Sequence, residues 1–117
     1  MINIKPLKAF TDNYIWLLET NEEVSVVDPG DAKPVLNYLS KTNKNLRDIF
    51  ITHHHFDHTA GVPELENIIS GSIYGPKNSY ELINEKVTQG DTLSSLGIKF
   101  EIIEVPGHTL DHIAFYN

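Results

Sequence analysis

All six histidines of this 117-residue chain fall in two short stretches, at 53, 54, 55 and 58 and at 108 and 112. Histidine used as ordinary polar filler would scatter. The first stretch reads Thr52-His53-His54-His55-Phe56-Asp57-His58. Neutral imidazole is the commonest metal ligand at pH 7. His53 and His55 are two residues apart, so in extended backbone they point the same way. His54 points away from them, to solvent or into packing. Asp57 and His58 can serve the same metal or one beside it. A His/Asp set without thiolate suits zinc and also accepts iron or manganese. The second stretch, Pro106-Gly107-His108-Thr109-Leu110-Asp111-His112, displays His108 at the tip of a glycine turn. Gly107 lets the backbone approach a metal closely. His53, His55 and His108 plus a water make a catalytic zinc arrangement with an open position. His112 is read instead as a buried histidine with a hydrogen-bond partner, next to a core strand.

The elements that must hold these residues alternate between strand and helix, which gives an α/β fold class. Residues 14–20 and 24–28 read as a hairpin turning at Asn21-Glu22-Glu23, with a further strand over 2–7. Residues 32–41 read as a helix capped by Asp31, with Val35, Leu36 and Leu39 on one face and Pro34 in its first turn. Ile49-Phe50-Ile51 is a short buried strand. The histidine run follows it, at the strand end where α/β sheets place ligands. A second helix is expected over 63–69, then strands at 72–74, 100–105 and 113–116, with turns at 90–92 and 96–97.

Composition narrows the chemistry. With no cysteine there is no disulfide, thiolate nucleophile, iron–sulfur cluster or Cys-type zinc site. No serine sits in a Gly-x-Ser-x-Gly elbow. Sixteen acidic residues against nine basic ones, with Arg47 the single arginine, disfavour a nucleic-acid partner. No apolar run approaches the ~20 residues that span a bilayer, and the start lacks a secretory signal. A cytoplasmic location with no membrane partner is expected.

The run Thr52-His53-x-His55-x-Asp57-His58 matches the T-H-x-H-x-D-H signature of the metallo-β-lactamase fold superfamily. Asp12-Asn13-Tyr14-Ile15-Trp16, Val27-Asp28-Pro29-Gly30-Asp31-Ala32, Tyr74-Gly75-Pro76 and Pro106-Gly107-His108-Thr109 resemble glyoxalase II, the hydroxyacylglutathione hydrolase family. The resemblance implies the N-terminal half of an αβ/βα sandwich, a mixed sheet with helices on one face. It implies two zinc ions: His53, His55 and His108 match ligands of the first, Asp57 and His58 ligands of the second. Asp28 matches an acid beside the site, and Thr52 holds the ligand loop by hydrogen bonds. The implied reaction is hydrolysis of S-lactoylglutathione to lactate and glutathione by a metal-bound hydroxide that Asp57 orients, a step of methylglyoxal detoxification.

Two departures stand out. Asp111 occupies a position where many members have glycine. The family's bridging aspartate, last histidine ligand, second αβ layer and glutathione-binding helices also come later in the chain than Asn117. Residues 1–117 therefore read as a partial domain truncated at its C-terminus. Two alternatives follow. One is another hydrolase of the fold, such as a lactonase. The other is an inactive, metal-binding fragment that associates with itself or a missing half through uncovered apolar sheet surface.

Overall fold

Alternation of apolar side chains builds the centre of the molecule. In the computed structural model, which describes residues 2–9, 13–77, 79–105 and 112–117, Ile15 and Leu17 of the strand Asn13–Glu19 enter one core. Leu18, between Leu17 and Glu19, enters another. That strand, β2, lies between β1 (Asn3–Ala9) and β3 (Glu23–Val27) in an antiparallel meander. β4 (Asn45–Phe50), β5 (Ile73–Pro76) and β6 (Glu85–Val87) continue it in parallel, giving a six-stranded mixed sheet in sequence order.

Between β3 and β4 runs α1 (Ala32–Thr42). The Asp31 carboxylate accepts the Lys33 amide at 3.0 Å at its start, and Asn43 ends it in the left-handed region at φ 58°. The helix packs Ala32 and Val35 on the sheet, with Tyr38 and Leu39 beside them. Leu36 is exposed rather than on that face, because it lies about 100° round the helix from Val35. After β4 come two single-turn helices, α2 (Phe56–Thr59) and α3 (Val62–Leu65), and a 3-10 turn over Glu66–Ile68. The helix expected over 63–69 is thus one α-turn and one 3-10 turn, and Ile68 is exposed.

The first core lies between the sheet and α1 and α3, around Leu17, Val26, Val35, Ile49, Ile51 and Leu65. The second lies on the opposite face, covered by a second, antiparallel sheet of β7 (Thr92–Ser95), β8 (Ile98–Glu104) and β9 (Ile113–Tyr116). Phe50 is its hub, with Tyr74, Phe100 and Phe115 rings centred 5.6, 5.6 and 4.9 Å away. Burial of one such side chain stabilises by roughly 1.5–3 kcal/mol. A mixed sheet with helices on one face is what the sequence led us to expect. The second layer, expected after Asn117, already begins here.

One buried charge ties the first sheet to α1. Glu19 on β2 is 2% exposed. It accepts from Tyr38 Oη of α1 and pairs with Lys5 at 2.8 Å and Lys44 at 2.9 Å. Burial pushes its carboxyl up, but the hydrogen bonds of Lys5, Tyr38 and Lys44 together outweigh burial and bring it down to about 2. A depressed carboxylate stabilises fully above its ordinary value of 4.5, and that contribution is lost as pH falls toward 2. Glu19→Gln is therefore expected to lower stability by about 2 kcal/mol at pH 7 and flatten the stability profile between pH 4.5 and 2. Urea unfolding across that range checks it.

Candidate metal centre

β3 and β4 run parallel, so their C-terminal ends deliver two loops to one place. Asp28 follows β3 directly, in the left-handed region at φ 51°, and its amide donates to Phe50 O at 2.8 Å. That conformation turns its carboxylate toward the segment leaving β4. The Thr52 amide donates to Asp28 Oδ1 at 2.8 Å, and the Thr52 hydroxyl reaches Oδ2 at 2.5 Å. The same hydroxyl oxygen stands 2.9 Å from His53 Nδ1.

Hydrogen-bond chemistry assigns the protons at these distances. A carboxylate only accepts, so the one hydroxyl proton of Thr52 goes to Asp28. Thr52 Oγ1 must then accept from His53 Nδ1–H. The tautomer so selected carries its lone pair on Nε2, the form that can ligate a metal. His58 Nδ1 lies 3.1 Å from Asp28 Oδ2, which places the same constraint on the second ring. One aspartate thus aligns two imidazoles.

Two local features bring His58 back to His53. The single turn α2 closes with the His58 amide donating to His55 O at 2.9 Å. Gly61 then donates its amide to Pro29 O at 2.9 Å, fastening the loop to the one that carries Asp28. A Cβ at Gly61 would stand 2.5 Å from Pro29 O, so this approach requires glycine.

His53 is 3% exposed and is the centre of the group. The rings of His55, His58 and His112 have centroids 4.8, 4.3 and 4.5 Å from it. Ligand atoms of Asp28, His53 and His58 all lie within 4.8 Å of one another. Burial, reinforced by the neighbouring charge of His58, lowers His53 to about 4, so the ring is neutral at pH 7. The hydrogen bond to Asp28 moves His58 the other way, above its ordinary value. A neutral buried imidazole, three more rings and a carboxylate form a nitrogen-rich donor set without sulfur. That set fits zinc, iron or manganese.

Of the residues singled out in the sequence, His53, His55, His58, Asp28 and Thr52 come together here. Asp57 stands at the margin, its side chain half exposed and Oδ2 3.8 Å from His58 Nε2. His54 is exposed, with its ring edge-on to that of His55 at 5.4 Å. His108 and Asp111 lie outside the described residues. His112, read from sequence as a core histidine with its own partner, packs against His53. Its neighbour Ile113 donates its amide to Thr52 O at 2.9 Å, which hooks β9 to the ligand loop. The signal for it was the six-histidine concentration itself.

Comparison with known proteins bears on the family and the fold. The family model described as the metallo-beta-lactamase superfamily matches residues 10–117. The hydroxyacylglutathione hydrolase of Pseudoalteromonas translucida is 49% identical over 100% of this chain and 47% of its own length. That of Chromohalobacter salexigens is 48% identical over 99% of this chain and 47% of its own length. The chain therefore spans about half the length of these curated relatives. Among solved structures, the BLEG-1 B3 metallo-beta-lactamase superposes with a TM-score of 0.85 at 19% identity, covering 97% of this chain and 66% of that one. ETHE1 from Myxococcus xanthus gives 0.77 at 25% identity, covering 98% of this chain and 52% of that one. The first likeness is one of fold alone. Among the described residues, no helix is long and apolar enough to cross a membrane.

Proposed function

This chain belongs to the metallo-β-lactamase superfamily, and on that premise we propose that it carries the metal-binding half of a thioester hydrolase acting on S-lactoylglutathione. The observation that carries the reading is the convergence of His55, His58 and His112 on a buried, tautomer-selected His53 in a chain without cysteine. The choice of substrate is supported by similarity to hydroxyacylglutathione hydrolases along the whole chain. Zinc is the metal we assign and the cytoplasm the setting, with methylglyoxal detoxification as the role.

His53, His55, His58 and His108 would hold the metal with Asp57, and Asp28 would orient His53 and His58 through Thr52 and directly. When bound, the metal lowers the pKa of water toward 7 and polarises the thioester carbonyl. Asp57, half exposed beside His58, would orient the attacking water as well as bind the metal. Phe50, Phe100 and Ile113 of the second core line a groove together with Thr52 and His112. The leaving thiolate, with a pKa of roughly 8.5, needs little help from a general acid. This accounts for a site that offers carboxylate and imidazole but no thiol or elbow serine.

A second reading, an inactive and self-associating fragment, is favoured by a groove of about 330 Å³ where Ile4, Trp16 and Leu18 of the first sheet face Phe115 of the second. One experiment addresses both. Alone, the 117-residue chain is expected to retain at most about one metal after dialysis and to turn over lactoylglutathione far below ordinary enzyme rates. Joined to the C-terminal half of the Pseudoalteromonas relative, it is expected to release glutathione thiol at rates of at least about 1 s⁻¹. A chimera that cleaves a lactone or β-lactam but not the thioester overturns the substrate assignment.

A further inference from the structure

β4 does not run regularly beside β3. Val24 pairs with Leu46 and Val26 with Ile49, so Arg47 and Asp48 together stand opposite Ser25, a bulge in β4. Side chains alternate along a strand, so one extra residue turns everything after it to the opposite face. The packing records the turn. Leu46 lies in the helix-side core, yet Asp48, two residues on, is bonded to Ser95 of the second sheet. Ile49 and Ile51 then return to the helix side, and Phe50 faces the second sheet.

A closed polar network occupies the bulge. The Asp48 amide donates to Ser25 Oγ at 3.2 Å, so a side chain takes the ladder bond that the irregularity disrupts. Ser95 Oγ donates to Asp48 Oδ2 at 2.6 Å, and Ser25 Oγ lies 2.9 Å from Ser95 Oγ. The Ser72 amide donates to Asp48 Oδ1 at 2.8 Å. With the Ser95 proton given to the carboxylate, Ser25 donates to Ser95 and the circuit is complete. A Cβ at Gly71 would collide with Asp48 Oδ1, so glycine there makes room for the carboxylate. Asp48 and Ser95 are each 3% exposed and Ser25 is fully buried. A buried carboxylate is costly unless satisfied in this way. None of these residues belongs to the metal centre.

We infer that Ser25, Asp48 and Ser95 are positioning residues for the metal site: they hold the bulge, and the bulge decides which residue meets Asp28. With it, Val27 pairs with Phe50, and Thr52 arrives at the Asp28 carboxylate. Without it the register slips by one, and Ile51, which has no hydroxyl, takes the place of Thr52. The His53 tautomer then loses its determinant, and every later ligand is turned about. The inference rests on the metal-site reading and is independent of the thioester.

The test compares Ser25→Ala and Ser95→Ala with Glu19→Gln, which loses stability in the same fold without touching the bulge. Co²⁺ affinity and the visible spectrum of the loaded 117-residue chain are the first readouts. Exchange protection of the Thr52 amide in the metal-free chain is the second. Both serine variants are expected to bind Co²⁺ at least tenfold more weakly, with altered band positions and reduced Thr52 protection. Ser25→Thr, which keeps the hydroxyl, should restore affinity, and Glu19→Gln should behave as the parent. If the folded serine variants match Glu19→Gln in both readouts, the inference is overturned. If Ser25→Ala does not fold, Ser95→Ala decides. If the parent takes up no metal, the metal reading fails and the Thr52 amide still decides this one.

Discussion

Replacing His53 with alanine is expected to abolish tight metal uptake, while His54→Ala leaves it intact. His53 is the ring that three other imidazoles approach, and it is the one whose lone pair is directed by Thr52 and Asp28. Its low proton affinity means that metal meets no competition from protons at neutral pH. Removing an outer hydrogen-bond partner of a ligand costs roughly 10–100-fold in affinity, and removing the ligand should cost more. His108→Ala, at the third histidine the resemblance assigns to the first metal, is expected to behave like His53→Ala. Calorimetric titration with zinc, with circular dichroism to confirm folding, separates ligand loss from collapse of the site. Equal affinities for the His53 and His54 variants would sink the assignment.

The second large effect is expected at Asp28. Asp28→Asn keeps the size of the side chain, and asparagine tolerates the left-handed backbone at φ 51°. What changes is hydrogen-bond polarity. Asp28 accepts from the Thr52 amide, the Thr52 hydroxyl and His58 Nδ1. An amide brings one oxygen and two N–H donors, so at least one of the three donors meets another donor. If Thr52 turns its proton toward His53 Nδ1, the lone pair is presented on the wrong nitrogen. Metal affinity is expected to fall roughly 10–100-fold, with the fold retained. The pH dependence of uptake should shift as well. His58 loses the charge that raises its pKa, so proton competition moves to lower pH. Zinc titrations at several pH values check both effects, and unchanged affinity in Asp28→Asn would remove Asp28 from the orienting role.

Much of this was legible in the chain. The Asp31 cap and the 3.6-residue spacing of Ala32, Val35 and Leu39 specify α1 locally. The apolar run Tyr14-Ile15-Trp16-Leu17-Leu18, followed by turn residues, specifies β2, and Ile49-Phe50-Ile51 reads as buried strand from its own composition. β7 was not legible. Thr-Leu-Ser-Ser has no apolar run, and Ser95 is buried because Asp48 waits across the sheets to accept its proton. β6 is a three-residue edge whose first two side chains face solvent, which leaves no periodic signal. Within the site, residue types and spacing pointed to the candidate ligand run, but nothing local placed His112 against His53.

The sequence by itself determined the chemistry available to this protein. It supplies clustered imidazole with carboxylate, no thiol, an α/β chain and a metallo-β-lactamase signature. These are properties of residue type and short spacing, which survive without knowledge of neighbours. Only the tertiary structure decided that Asp28 directs the protons of Thr52, His53 and His58, that β9 delivers His112, and that a bulge turns β4 at Asp48. The physical reason is that register and hydrogen-bond direction belong to pairs of strands. Periodicity reports which way one strand faces, and the partner strand decides where that face changes.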